Sequence, residues 1–353
     1  MADVIQISEI LKGYTVDKSN IQSVGNMTVI PIVSDTEFTN VANINDVTLD
    51  KDLDYTQMKF KNSSGEIAIS LQGWTIIDKQ PAQDRTIPYA HLIKAANSKI
   101  LPANCVQSNQ CGTFHVDKWS QENFMILPPS LRGIALKKSP HNNAEVGALW
   151  DSLSGWVKGI NCKEDGLKHF YSKFSDKLDQ FVAQFEPVEK QLGAIVLIND
   201  EVIAFDIVPK YESWKAVWRA IIRDSYGAEA LRMTENNGTV VNHPVMKADK
   251  IKTLDDLDKL FDGMKNDFYD SLQGKVGQAI QLSVGQRQIE QIDELSNLKL
   301  ESDQFVGQGI IHGDDHFVYL SLVNSMMGKI DGRKKKFQSL KSDPYNNDSF
   351  FFG

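Results

Sequence analysis

Two short stretches of this 353-residue sequence carry residue types that can do chemistry. The first is "HGDDH", His312 to His316, which puts two imidazoles and two carboxylates within five residues. Imidazole nitrogens and carboxylate oxygens are ordinary ligands for first-row divalent metals. The same five residues also read as a hairpin turn, Gly313-Asp314-Asp315, between the apolar runs "GII" and "FVYLSL". The second is the polar head of "DKQPAQDRTIPYAHLIKAA", where Lys79, Gln80, Gln83, Asp84 and Arg85 fall close together. The guanidinium fork of Arg85 suits bidentate capture of a phosphate or carboxylate. Alternatively, Asp84 and Arg85 form an ion-pair network that braces the fold.

Other motifs are weaker. There is no G-x-S-x-G elbow for a Ser/His/Asp triad and no Gly-Lys-Ser/Thr after a glycine-rich run for a phosphate loop. The three cysteines are Cys105, Cys111 and Cys162. Their odd, low number argues against a disulfide framework, and their spacing against a structural zinc site. Cys105 lies in the apolar run "LPANCVQ" and reads as a buried, inert thiol.

The positioning elements divide the chain into two textures. Up to about residue 142 it is strand-rich. "NMTVIPIVSD" has strand composition, and "YTQMKFKNSSGEIAISLQGWTII" breaks at Asn62-Ser63-Ser64-Gly65 as a hairpin turn would. "RTIPYAHLIKA" and "KILPANCVQS" complete what reads as a sandwich or partly open barrel. From about residue 143 helical spacing takes over. Leu149, Leu153, Trp156 and Ile160 share one helical face, as do Leu167, Phe170, Phe174, Leu178, Phe181 and Phe185, with Pro187 as the stop. "GAIVLINDEVIAFDIV" is a hairpin turning at Asn199-Asp200. "YESWKAVWRAIIRDSYGAEAL" is a helix with Trp214, Val217, Trp218 and Ile221 inward and a break at Ser225-Tyr226-Gly227. A long loop over Thr234 to Ile251 precedes a helix over "TLDDLDKLFDGMKNDFYDSL", with Thr253 as N-cap. "VGQAIQLSV" and "QGIIHGDDHFVYLSLVNS" are the last strands.

The expected fold class is α+β. Residues 1–20 form an N-terminal extension and residues 21–332 a single elaborated unit, strand-rich over 21–142 and mixed over 143–332. Residues 333–353 form a flexible tail, basic, then polar, and closed by three phenylalanines. The net charge of −8 disfavours nucleic acid and anionic membranes as partners. No basic start followed by an apolar core marks a secretion leader, and no apolar run reaches the ~18 residues of a membrane span. A cytoplasmic protein is expected.

A set of motifs resembles the ARG-and-rhodanese-phosphatase-superfamily-associated protein domain, where ARG denotes ADP-ribosylglycohydrolase. They are Met27 to Ile32, Gln83-Asp84-Arg85, Pro102 to Gln107, Gly193 to Asp206, Trp218 to Tyr226, and His312. The family's Gly-Glu stands here as Gly73-Trp74, and its Cys-Val-Glu as Cys105-Val106-Gln107. Its following Gly-Arg-Trp is not kept. The resemblance implies, by association, a role near ADP-ribose, NAD or nucleotide metabolism. If the family is catalytic, the two absent carboxylates imply a member that has kept the fold and lost the chemistry, since Gln107 can hydrogen-bond but cannot take a proton at neutral pH; if it binds a nucleotide-like ligand, the retained Gln83 and Arg85 can still do so.

Three functions follow as expectations. One is a nucleotide- or ADP-ribose-type ligand-binding protein, with Gln83, Asp84, Arg85, Gln107 and His312 at the ligand. The second is a structural or interaction protein, as a homo-oligomer or docked to a partner through the tail. The third is a metal-assisted hydrolase using "HGDDH". No catalytic residue, cofactor or metal ligand is assigned from sequence.

Overall fold

The computed structural model describes residues 3–54, 56–77, 84–106, 124–143, 147–158, 166–237, 253–313 and 316–326. Its centre is a ten-stranded sheet in which every pairing is antiparallel. Across the sheet the strands run Asp3–Gln6, Ser283–Ile292, Leu295–Glu301, Phe305–His312, His316–Asn324, Glu201–Ile207, Gln191–Ile198, Met27–Val33 and Thr15–Val16. Gln22–Val24 also pairs with Met27–Val33. N-terminal residues are thus part of the sheet: Asp3–Gln6 extends one edge and Thr15–Val16 the other.

Both faces of the sheet are covered, which explains why its central strands are apolar throughout rather than alternating. Ile195, Phe205, Leu300, Phe317, Leu320 and Leu322 pack with Ile7, Ile10, Leu272, Val276 and Ala279. The last three lie on the long helix Leu254–Ile280 at helical spacing. On the other face Val196, Ala204, Val306, Ile310 and Val323 pack with Trp214, Val217, Trp218 and Ile221 and with three smaller sheets. Those sheets comprise Val47–Asp54, Gln57–Asn62 and Ser98–Pro102; Ala68–Ser70 and His91–Ile93; and Trp74–Ile76, Arg85–Thr86, Asn104–Cys105 and Phe124–Ile126. A third apolar cluster joins Trp156, Phe170, Phe174 and Leu178 to Val106, Leu127 and Leu131. The architecture is α+β, and no sheet closes into a barrel.

Several elements differ from their sequence expectation. The Asn62–Gly65 break is not a hairpin: Gln57–Asn62 and Ala68–Ser70 belong to different sheets. Asn62 forms the corner, its amide donating to the carbonyls of Glu66, Ile93 and Lys94. The aromatic stripe after Gly166 is two helices, Leu167–Lys173 and Ser175–Val182, jointed at Phe174. Ser225-Tyr226-Gly227 does not break its helix. Ala220–Gly227 widens into a π-helical segment that continues as Ala228–Asn237. A Cβ on Gly227 would stand 2.8 Å from the Ile222 carbonyl oxygen, so the wide turn needs glycine there. The expected strand "VGQAIQLSV" is mostly the end of the long helix, and the hairpin of Ser283–Ile292 with Leu295–Glu301 lacked a sequence signal. That hairpin is polar along much of its length, and its partners hide its role. The tail lies outside the described residues.

Candidate functional site

Gln83 and Gln107 lie outside the described residues. Asp84 and Arg85 are described, and both are buried, at 0% and 3% exposure. Arg85 opens a two-residue strand between Ile76 and Cys105 in the four-stranded sheet. The backbone carbonyl of Asp84 accepts from the Val106 amide. His312 is elsewhere, at the end of a large-sheet strand. Its Nε2 meets Glu294 Oε2 at 3.0 Å, and its ring stands 5.8 Å from Phe38. His312 and His316 face each other across the hairpin, as the turn reading requires. The His316 ring packs on Phe38 at 4.6 Å and Tyr14 at 5.7 Å. Asp314 and Asp315, the carboxylates of that segment, lie outside the described residues, and among the described residues no third ligand atom lies within 4.8 Å of both histidines.

Residues on which the family resemblance rests converge on a different point. Arg132 is fully buried and grips Asp206 bidentately, at 2.7 and 2.9 Å, and donates to Ser321 Oγ at 2.7 Å. The Tyr226 hydroxyl donates to the same carboxylate at 2.5 Å, and Ser225 Oγ donates to the Leu127 carbonyl. Gly73, at φ +76°, lies against the Arg132 stem, where a Cβ would stand 2.8 Å from Cγ. Asp206 raises the affinity of Arg132 for its proton beyond the usual range, outweighing burial. This is an enclosed brace between the large sheet, the helix Pro129–Lys138 and the π-helical segment. The cavity beside it has a volume of only about 10 Å³, too small for a ligand.

A family model for the ARG and Rhodanese-Phosphatase-superfamily-associated Protein domain matches residues 15–323. The chain belongs to this family. Neither a curated protein nor a solved structure gives a significant match. For this ARG and Rhodanese-Phosphatase-superfamily-associated Protein domain, the Arg132 brace shows what Gly73, Asp206, Ser225 and Tyr226 do: they lock helix to sheet.

Another polar cluster lies where His91–Ile93 packs against the large sheet. Segment 90–92 is held by side chains. Ala90 donates to Gln308 Oε1 at 2.7 Å and its carbonyl accepts from Asn297 and Gln308 at 2.9 and 3.2 Å. The Leu92 amide donates to Glu290 Oε2 at 3.0 Å, and the Leu92 carbonyl accepts from Lys99 Nζ at 3.0 Å. Lys99 also pairs with Glu290 Oε1. A β-bulge between Gln288 and Glu290 re-aims the strand where Glu290 leaves it.

This docking brings His91 to Glu290 and to His141. The helix Pro129–Lys138 ends just before His141, and its C-terminus is tied by the Tyr89 hydroxyl, 3.0 Å from both the Leu136 and Ser139 carbonyls. The His141 ring lies edge-on to Tyr89 at 5.1 Å and 4.6 Å from the His91 ring. His91 Nδ1 is 3.9 Å from Glu290 Oε2. His91 is 1% exposed, and among the described residues neither of its ring nitrogens has a hydrogen-bond partner. An unpaired buried polar atom costs about 1–3 kcal/mol. Burial, reinforced by His141 and Lys99, holds the His91 pKa well below its usual value, and burial lowers that of His141. One ligand atom from each of His91, His141 and Glu290 lies within 4.8 Å of the others.

Beside this cluster is a cavity of about 150 Å³, lined by Thr56, Gln57, His91, Lys99, Asn142 and Asn143 with Ile100 and Pro102. The Lys99 ammonium has three donors and, among the described residues, gives two of them, to Leu92 and Glu290. His91 and His141 carried no motif in the sequence. They are 50 residues apart and meet a glutamate from a third segment, so local spacing held no signal for them.

Proposed function

We propose that the protein binds a small anionic ligand of the nucleotide or ADP-ribose class in the cavity over His91. The observation that carries the reading is a polar cavity with Lys99 on its wall, above a buried imidazole whose nitrogens have no hydrogen-bond partner among the described residues. A phosphate oxygen would pair with Lys99, and Gln57, Asn142 and Asn143 would meet hydroxyl or amide groups of the ligand. The volume fits a phosphate with part of a ribose rather than a whole dinucleotide. The rest of such a ligand would extend past the exposed Asn142 and Asn143. Arg85, buried in the four-stranded sheet, is not on this wall.

The test is calorimetric titration with ADP-ribose, NAD, AMP and pyrophosphate. At least one should bind, more weakly as salt is raised, and Lys99→Gln should weaken it about tenfold or more. Absence of binding by all four, or a Lys99→Gln protein that binds like the parent, would refute the reading.

A further inference from the structure

We propose that His91, His141 and Glu290 form a binding site for one divalent first-row transition-metal ion of the zinc class. The site differs from the "HGDDH" segment and from every residue on which the family resemblance rests. It goes beyond the ligand reading and does not depend on it.

The donor set is two imidazoles and one carboxylate. That set suits zinc, cobalt, nickel or ferrous iron, whereas magnesium and calcium prefer oxygen alone. Two ligand atoms on a tetrahedral ion at about 2.0–2.1 Å stand about 3.4 Å apart. His91 Nδ1 and Glu290 Oε2 are already at 3.9 Å, and the three ligand atoms lie within 4.8 Å of one another. Closing onto an ion needs a contraction on the order of 1 Å, within the reach of ring and carboxylate rotation.

The second observation is the state of His91. It is buried, aimed at the cluster, and has no hydrogen-bond partner on either nitrogen among the described residues. Such an imidazole lacks an account as a packing residue, since a phenyl ring would fill the space without unpaired atoms. A metal ion accepts its lone pair directly.

The surroundings match those of a ligand shell. Glu290 is oriented by the Leu92 amide on Oε2 and by Lys99 on Oε1, the kind of outer hydrogen bonding that fixes a ligating carboxylate. Three protein ligands leave a coordination position open, and His91 borders the 150 Å³ cavity. That is the pattern of a site with an exchangeable ligand rather than of a closed structural centre. With one carboxylate against a dication and the Lys99 ammonium, the filled site is cationic and would draw an anion into the cavity.

The test uses the full chain without a histidine tag, stripped with chelator and titrated with zinc and with cobalt in the absence of any nucleotide. The expected result is one equivalent bound per chain, with a tetrahedral or five-coordinate cobalt spectrum. Glu290→Gln and His141→Ala should each weaken binding at least tenfold while circular dichroism shows them folded. The half-buried position of His141 makes the second substitution tolerable to the fold. No stoichiometric binding of either ion, or binding unchanged in folded His141→Ala, would overturn the proposal. So would loss of binding in His312→Ala but not in His141→Ala. Ligand titrations with the Lys99→Gln protein are read separately, so failure of one proposal is distinguishable from failure of the other.

Discussion

Single residues divide between those that brace the fold and those left with unused capacity. The Arg132–Asp206 pair belongs to the first group. Removing one partner of a buried, bidentate ion pair strands the other charge, at a cost of about 3–5 kcal/mol. Asp206→Ala should therefore lower stability by about that much in urea denaturation, and Tyr226→Phe by about 1 kcal/mol. Asp224 carries a pH signature of its own. Burial pushes its pKa up to about 6, against the opposing pull of Arg223. The folded state therefore holds a proton that the unfolded chain releases near pH 4. The sign follows: this carboxyl stabilises least above pH 6, and stability rises as pH falls from about 6 towards 4, by at most about 3 kcal/mol. Asp224→Asn should flatten that part of the stability–pH curve; an unchanged slope would assign it to other groups.

Elements show where sequence pattern suffices and where it does not. The Asn199-Asp200 hairpin was legible because both residues take positive φ, 49° and 63°, which few residue types tolerate. The helix over Tyr211–Arg219 was legible from its Trp214, Val217 and Trp218 stripe. Its continuation through Ser225-Tyr226-Gly227 was not, because those residues are turn-formers locally and are overruled by the bonds of Ser225 to Leu127 and of Tyr226 to Asp206. The Asn62 corner was misread for a related reason: a polar, glycine-containing break looks the same whether the next strand folds back or leaves for another sheet. Asn62 decides it by closing three carbonyls at once. Asn62→Ala should cost about 2–3 kcal/mol, more than an exposed turn residue would. A loss under about 0.5 kcal/mol in chemical denaturation would count against its role as the corner.

At the scale of the whole molecule, the α+β class was legible from composition and periodicity. The site was not. Its three groups come from a strand packed against the sheet, a loop after a helix, and a bulged strand near the sheet edge, and only the packing of segment 90–92 through Gln308, Asn297 and Glu290 brings them together. The sequence did show polar clusters at Gln83-Asp84-Arg85 and at "HGDDH", because there the donors are adjacent in the chain. Of these, Arg85 proves to be buried in a sheet and His312 pairs with Glu294. Among the described residues, no helix is long and apolar enough to cross a membrane.

The central claim is that His91, His141 and Glu290 share one ion. Anomalous diffraction from crystals of the stripped protein reloaded with zinc tests it most directly. The account expects one strong peak about 2.0–2.2 Å from a nitrogen of each histidine and from a Glu290 oxygen. An empty cluster at full zinc loading, or a peak only at His312 and His316, would contradict it.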